Sequence, residues 1–212
     1  MSARPSPRPI APQGQAAAKA ELRRSFRALR LQVLPPDGEG QGEQAAILAA
    51  AERELPALTG PGHRLGLYWP LRGEVDLRPL AGLGVALALP AVVPAAPGMP
   101  ARMIYRPWSP GEPLAADACG IPAPMPARGA LAADALGLLL VPALAFDPAS
   151  GIRLGQGGGW YDRLRADAAW AAVPALAVLP AACLQRSLPR DSWDVPFAGW
   201  LDGAGVHRLE RM

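Results

Sequence analysis

The sequence predicts an α/β protein in which a largely parallel central sheet is covered by helices on both faces. Three observations lead there. The chain opens with helical patterns and then switches to short apolar runs separated by turns. Several of those runs are apolar almost throughout, which suits strands covered on both sides rather than half-solvated ones. Proline follows several of them, where a strand would end and send the chain into a loop.

In chain order, residues 1–15 (MSARPSPRPIAPQGQ) are rich in proline and arginine and carry no acidic residue. They read as a disordered leader ahead of one domain over 16–212. A secretory signal is excluded by the missing apolar region. The arginine-rich, acid-poor start is shared with organellar transit peptides, although its prolines oppose an amphipathic helix. From Ala16 to Leu34 the pattern is helical, with Leu22, Phe26, Leu29 and Val33 on one buried face. Lys19, Arg23, Arg27 and Arg30 form a basic stripe beside it. That stripe is either the solvated face of a packed helix or, at its N-terminal end, a reach toward polyphosphate. Pro35-Pro36 stops this helix, and Gly42 to Leu58 reads as a second.

Strands are predicted at Arg64–Leu71, Gly84–Val93, Arg102–Trp108, Leu136–Phe146 and Pro174–Leu179, with Pro70, Pro90, Pro142 and Pro180 as their breakers. Between the Leu136–Phe146 strand and a helix beginning near Tyr161 lies GIRLGQGGGWYDRLRA, residues Gly151 to Ala166. It falls beyond the carboxyl end of a strand, where ligands gather in open parallel sheets.

Bulk properties narrow the function classes. The 212 residues are 50% hydrophobic and 18% charged, enough for one well-buried core. A formal charge of +3, with no basic run interleaved with aromatics, argues against nucleic acid as a partner. No window approaches the ~18 apolar residues of a membrane span. Cys119 and Cys183 have neither metal-ligand spacing nor the number for a disulfide framework, which points to a reducing, cytoplasmic setting. His63 and His207 are too few to favour a histidine metal site or a charge-relay triad. Lys19 is the only lysine in the chain.

The glycine-rich stretch is no Walker A loop, since no lysine-serine or lysine-threonine pair follows it. Nor is it the dinucleotide fingerprint, because Trp160 stands where the last glycine belongs. No GxSxG elbow for a nucleophilic serine occurs. The local physics still favours an anion. Consecutive glycines let backbone amides approach a ligand closely, and the loop runs into a helix start. Arg153 adds a planar fork suited to phosphate oxygens. Asp162 either caps that helix or holds magnesium on the phosphates. The competing reading is a flexible glycine-rich turn.

LVPALAFDPASGIRLGQGGGWYDR (Leu140 to Arg163) resembles the signature of the 5-formyltetrahydrofolate cyclo-ligases. KAELRR (Lys19 to Arg24), YWPLRGEVDLRPL (Tyr68 to Leu80), IYRPWSPGEPL followed by GIPAP, and LPRDSWDVP (Leu188 to Pro196) resemble further blocks of that family, in the same order. The resemblance implies a single three-layer α/β/α domain. It also implies a reaction in which ATP and 5-formyltetrahydrofolate give 5,10-methenyltetrahydrofolate, ADP and phosphate with Mg2+. By position it implies that Lys19 and Arg23 contact the ATP phosphates, with Lys19 and Arg153 as catalytic cations. The nucleotide loop is then Arg153, Leu154, Gly155, Gln156, Gly157, Gly158, Gly159, Trp160 and Tyr161. Gln156 to Trp160 also face the folate, together with Trp69 and Glu74, and Asp162 and Asp194 hold the metal. A monomer acting on a small reduced formyl-folate is expected.

The residue types suit that chemistry. A formamide oxygen is a poor nucleophile and a worse leaving group, so phosphorylation activates it for attack by N10 of the folate. No enzyme nucleophile is required, only alignment and charge neutralisation of the γ-phosphate. Aromatic walls and a fixed carboxylate suit a pterin, and Trp69, Trp160 and Glu74 are candidate suppliers. The chain departs from the family pattern at Trp160, Ala123, Ala198 and Asp202. A paralogue that binds nucleotide or folate without turnover is the alternative.

Overall fold

A computed structural model of the chain describes residues 13–35, 41–94 and 100–209. Two helices come first, α1 (Gln13–Val33) and α2 (Gln41–Thr59). They are followed by β1 (Arg64–Gly66), β2 (Leu87–Val93), β3 (Arg102–Trp108) and the small hairpin β4 (Leu114–Ala116) and β5 (Pro122–Pro124). Next are β6 (Leu136–Pro142), β7 (Ala145–Asp147) and β8 (Ile152–Leu154), then the short helices α3 (Trp160–Arg165) and α4 (Ala168–Ala172). β9 (Ala175–Val178), β10 (Gly199–Asp202) and β11 (Gly205–Arg208) complete the chain.

Seven strands form one sheet in the order β11-β10-β9-β6-β1-β2-β3. The five inner strands run parallel, and β3 and β11 close the edges antiparallel. The continuous apolar runs serve both faces, as the sequence predicts. In β6, Leu139 and Val141 point into the core beneath Phe26 of α1 and Leu164 of α3. Their neighbours Leu138 and Leu140 point into the core under Ile47, Ala50 and Leu55 of α2. In β9, Ala175 and Ala177 face the first core and Leu176 and Val178 the second. Each such side chain removed from water contributes roughly 1.5–3 kcal/mol for a large aliphatic or aromatic residue, so the two-sided sheet is the main source of cohesion. α/β with helices on both faces is therefore the observed class.

Four details differ from the sequence-based expectation, the first being that the predicted Arg64–Leu71 strand stops at Gly66, before its expected breaker Pro70. The first helix begins at Gln13, so only residues 1–12 of the expected leader lie outside the described residues. The predicted Leu136–Phe146 strand is two elements. β6 stops at Pro142, and Phe146 pairs antiparallel with Arg153 in a separate β7–β8 ribbon. Pro90 does not end its strand but sits inside β2, opposite Tyr105 of β3.

The last point has a geometric cause that also locates the site. Ala86 and Ala88 accept hydrogen bonds from Leu65 and Leu67, so this set of β2 residues faces β1. Pro90, two further on, faces the same side beyond the place where β1 has ended, and its missing N–H costs no ladder bond. Pro142 is the mirror case. Its neighbour Ala143 donates to Val178 of β9, so Pro142 faces the side that β1 has vacated. A three-residue β1 between two longer strands thus leaves a notch at the carboxyl ends of the sheet. The chain leaves β1 for β2 on one side, while β6 lies on the other. This is a topological switch point, where open α/β sheets place their ligands.

Candidate active site

The notch is the floor of a cavity, with Pro90 and Pro142 in its lining. Lys19 and Arg23 come from α1, Trp69 and Glu74 from the segment after β1, and Arg153, Leu154 and residues 155–162 from β8, the glycine loop and α3. Asp191, Trp193 and Asp194 close the far side, and Asp117 and Ile121 of the β4–β5 hairpin add the rim. The structure brings every residue nominated from sequence into this one cavity.

The glycine loop is shaped by close approaches as well as by backbone conformation. The Arg153 guanidinium lies beneath it, so a Cβ at Gly155 would meet Nη1 at 2.5 Å. The Trp160 indole folds back on Gly158, where a Cβ would stand 2.8 Å from it. Gly157 and Gly159 have φ of 109° and 62°, a region that side-chain-bearing residues enter at a cost. Gly157 and Gly159 thus take backbone conformations that favour glycine, while Gly155 and Gly158 lie against side chains that belong to the loop itself. α3 is only six residues long and its N-cap is Gly159. Asp162 stands in its first turn, with Oδ1 3.9 Å from Arg153 Nη2.

Arg153 is held from two sides. Nη1 donates to the Pro142 carbonyl at 3.0 Å, and the guanidinium lies 5.3 Å from the Tyr161 ring centroid and 5.5 Å from that of Phe197. Burial raises the Tyr161 phenol well above the usual range, so the ring stays neutral.

The members of the basic stripe of α1 have distinct fates, from buried Lys19 and Arg30 to exposed Arg27. Lys19 is 8% exposed and donates to Asp191 Oδ2 at 2.6 Å and Asp194 Oδ2 at 2.7 Å. Arg23 donates from Nε to the Gly155 carbonyl at 3.0 Å. Burial, and then neighbouring Arg27, lowers the Arg23 pKa from its ordinary value. Exposed Arg27 donates to the Oε1 and backbone carbonyl of Gln156. Arg30 is buried and donates to the Ala143 carbonyl.

Asp191 was not legible as a site residue. Its one signal is the Asp-x-x-Asp spacing with Asp194, and the local bonds explain that spacing. Asp194 Oδ2 accepts from the Asp191 amide at 2.8 Å, and the Asp194 amide donates to the Asp191 carbonyl at 3.1 Å. This tight turn sets two carboxylates on one side, where they share the Lys19 ammonium.

On the opposite wall Trp69 lies 4.4 Å beneath the Arg78 guanidinium, and Trp160 lies 4.2 Å beneath that of Arg163. The Glu74 side chain is held by Leu71 N–H on Oε2 and by the Gln156 amide nitrogen on Oε1. Ala123 lies buried in β5 and Ala198 precedes β10, both outside this cavity's lining. Asp202 is also outside it, binding Trp200 Nε1, the Ala204 amide and His207 at the β10–β11 turn.

The two thiols differ sharply. Burial pushes Cys183 up to about 11. Cys119 is exposed near Trp160, and partial burial followed by Asp117 raises it more modestly. A thiol reagent is expected to modify Cys119 alone in the folded protein, faster as pH rises because its thiolate forms late. Cys183 is expected to react only after denaturation. Equal rates for both thiols in native protein would contradict the burial described here.

Fold and cavity define an α/β protein with a cavity at the carboxyl ends of its parallel strands, walled by cations, a glycine loop and aromatic rings. Residues 15–199 match the model of the 5-formyltetrahydrofolate cyclo-ligase family, and the chain belongs to that family. It is 33% identical over 184 residues to a 5-formyltetrahydrofolate cyclo-ligase of Mycolicibacterium smegmatis, covering 84% of this chain and 89% of the relative. It is 26% identical over 177 residues to the protein of that name from Escherichia coli K12, covering 81% and 93%. Among solved structures it resembles the NMR structure of Aquifex aeolicus 5,10-methenyltetrahydrofolate synthetase, with TM-score 0.70, 28% identity and coverage of 92% and 94%. Among the described residues no helix is long and apolar enough to cross a membrane.

Proposed function

We propose that this chain closes 5-formyltetrahydrofolate to 5,10-methenyltetrahydrofolate, with ATP converted to ADP and phosphate, acting as a cytoplasmic monomer whose working unit is a single domain over residues 16–212. The observation that carries the reading is the meeting of Lys19 and Arg23 with the glycine loop and with Trp69 and Glu74 in one cavity. One wall suits a triphosphate and the other a pterin.

Along the first wall, residues 155–160 supply a surface free of side chains where Gly157 and Gly159 turn, so backbone amides reach phosphate oxygens. Lys19 and Arg23 neutralise charge on the transferring group, and Arg153 supports the loop from below while fixing charge at its base. Trp69 and Trp160 form the aromatic walls for the pterin, with Glu74 as the polar anchor that sets its orientation. The formyl oxygen then takes the γ-phosphoryl group, N10 attacks the activated carbon, and phosphate leaves as the ring closes. In-line transfer of this kind asks the protein for positioning and charge rather than for a nucleophile.

The carboxylates fit a divalent ion. Asp191 and Asp194 already hold a cation, the Lys19 ammonium, and Asp162 lines the same cavity. Magnesium shared with substrate phosphates is commonly held by one or two carboxylates. Asp162 and Asp194 would hold Mg2+, which when bound neutralises phosphate charge.

The test is direct. Purified protein with ATP, Mg2+ and 5-formyltetrahydrofolate is expected to produce the near-ultraviolet absorbance of the methenyl product, and omission of either ATP or the metal is expected to abolish it. A folded protein that forms no product under these conditions would refute the activity.

A further inference from the structure

Arg30 has no role in the reaction as proposed above, yet its setting is unusual for an arginine. It is 3% exposed. Burying a guanidinium is costly unless it is paired, and desolvation, the largest influence on it, lowers its pKa. Two contacts answer that cost. Nη1 donates to the Ala143 carbonyl at 3.2 Å, just past the end of β6, and Nη2 stands 3.7 Å from Glu74 Oε1. The Glu74 side chain is itself only 3% exposed. The same Oε1 accepts from Gln156 at 3.2 Å, while Oε2 accepts from the Leu71 amide at 3.1 Å.

The residues around this pair are packed to keep it in place. Gly73, at φ 75°, lets the 71–74 turn lie against α1, where a Cβ would stand 3.2 Å from Leu31 Cδ2 and 3.9 Å from Arg30 Cβ. The turn that carries Glu74 is therefore docked on the helix that carries Arg30. Arg153 binds the Pro142 carbonyl and Arg30 the next one, so both arginines use the peptide groups freed where β6 leaves the sheet.

We propose that Arg30 is a positioning residue for the substrate-side carboxylate. It fixes the direction of the Glu74 carboxylate, leaving Oε1 beside the glycine loop at the cavity wall. This rests on the reading of Glu74 as the folate anchor. Arg30 touches neither substrate; it acts through Glu74. Without it, the carboxylate has lost its buried counter-charge and is free to turn away from the cavity.

A purely structural Arg30 makes a different prediction, because α1 also carries Lys19 and Arg23. Loosening that helix would weaken both substrates together, whereas loss of Glu74 positioning falls on the folate alone. In Arg30→Leu the KM for 5-formyltetrahydrofolate is expected to rise about tenfold or more, with the KM for ATP changed by less than about threefold. Arg30→Lys keeps the charge without the fork and is expected to recover part of the loss. Parallel rises in both KM values, or no change in either, would overturn the proposal.

A second measurement needs no turnover. Melting temperatures of Arg30→Leu, Glu74→Gln and the double variant form a cycle, read directly from the folded chain. The double variant is expected to lose less than the sum of the two singles. Strict additivity would overturn the pairing even if Arg30→Leu alone proves poorly folded. Should the wild-type protein make no methenyl product, the functional reading fails, and this cycle still decides whether Arg30 holds Glu74.

Discussion

Lys19→Met is expected to lower turnover by about a hundredfold or more while the chain stays folded. Removing one preorganised charged donor from a phosphoryl-transfer site costs roughly 3 kcal/mol of transition-state stabilisation, and this chain has no other lysine to substitute. The stability side needs weighing, because Lys19 also bridges Asp191 and Asp194, with side-chain exposures of 9% and 12%. An enclosed ion pair broken on one side costs about 3–5 kcal/mol. Here both carboxylates face a cavity, where water can replace the ammonium, so about 1–3 kcal/mol is the expected loss. That is within the roughly 5–15 kcal/mol by which a domain of this kind is stable. Steady-state kinetics beside a thermal melt separates the two effects. Near-normal turnover in a folded Lys19→Met would remove Lys19 from the chemistry.

The second large effect is expected at Gly157. Its φ of 109° suits no β-branched residue, and a Cβ there would point at Arg23, 3.6 Å from Nε. Gly157→Val therefore strains the loop and intrudes between its amides and the first cation of the nucleotide wall. The loop at 156–158 is exposed, so relaxation there leaves the core intact. Nucleotide affinity measured by calorimetry is expected to fall by about a hundredfold, with the unfolding midpoint in urea little changed. Unaltered affinity would mean that the phosphates lie elsewhere.

These predictions draw on residues of very different visibility in the sequence. The buried strands were legible because apolar runs such as Leu136–Pro142 announce two-sided burial. β10 and β11 were not: GWLDGAGVHR is short, mixed in polarity and turns after four residues, so it offers neither a run nor an alternation. Pro90 misled because its effect depends on which side of β2 it faces, and that is set by the length of β1 rather than by local sequence. In the site, the glycine loop could be read from its composition. The partners that fix it could not. Lys19 meets Asp191 across 172 positions, and Arg30 meets Glu74 only because a tight turn at Gly73 packs on α1. A basic stripe looks the same on paper whether its members are solvated, as Arg27 is, or buried, as Arg30 is. Tertiary packing, not propensity, separates them.

The central claim is that the loop at 155–160 and the cations of α1 form one phosphate cradle. A crystal structure of the protein with a non-hydrolysable ATP analogue and Mg2+ tests it most directly. The account predicts triphosphate oxygens within about 3 Å of Lys19 Nζ and of the Gly157–Gly159 amides. A nucleotide bound away from this loop, with Lys19 still engaged only by Asp191 and Asp194, would contradict it.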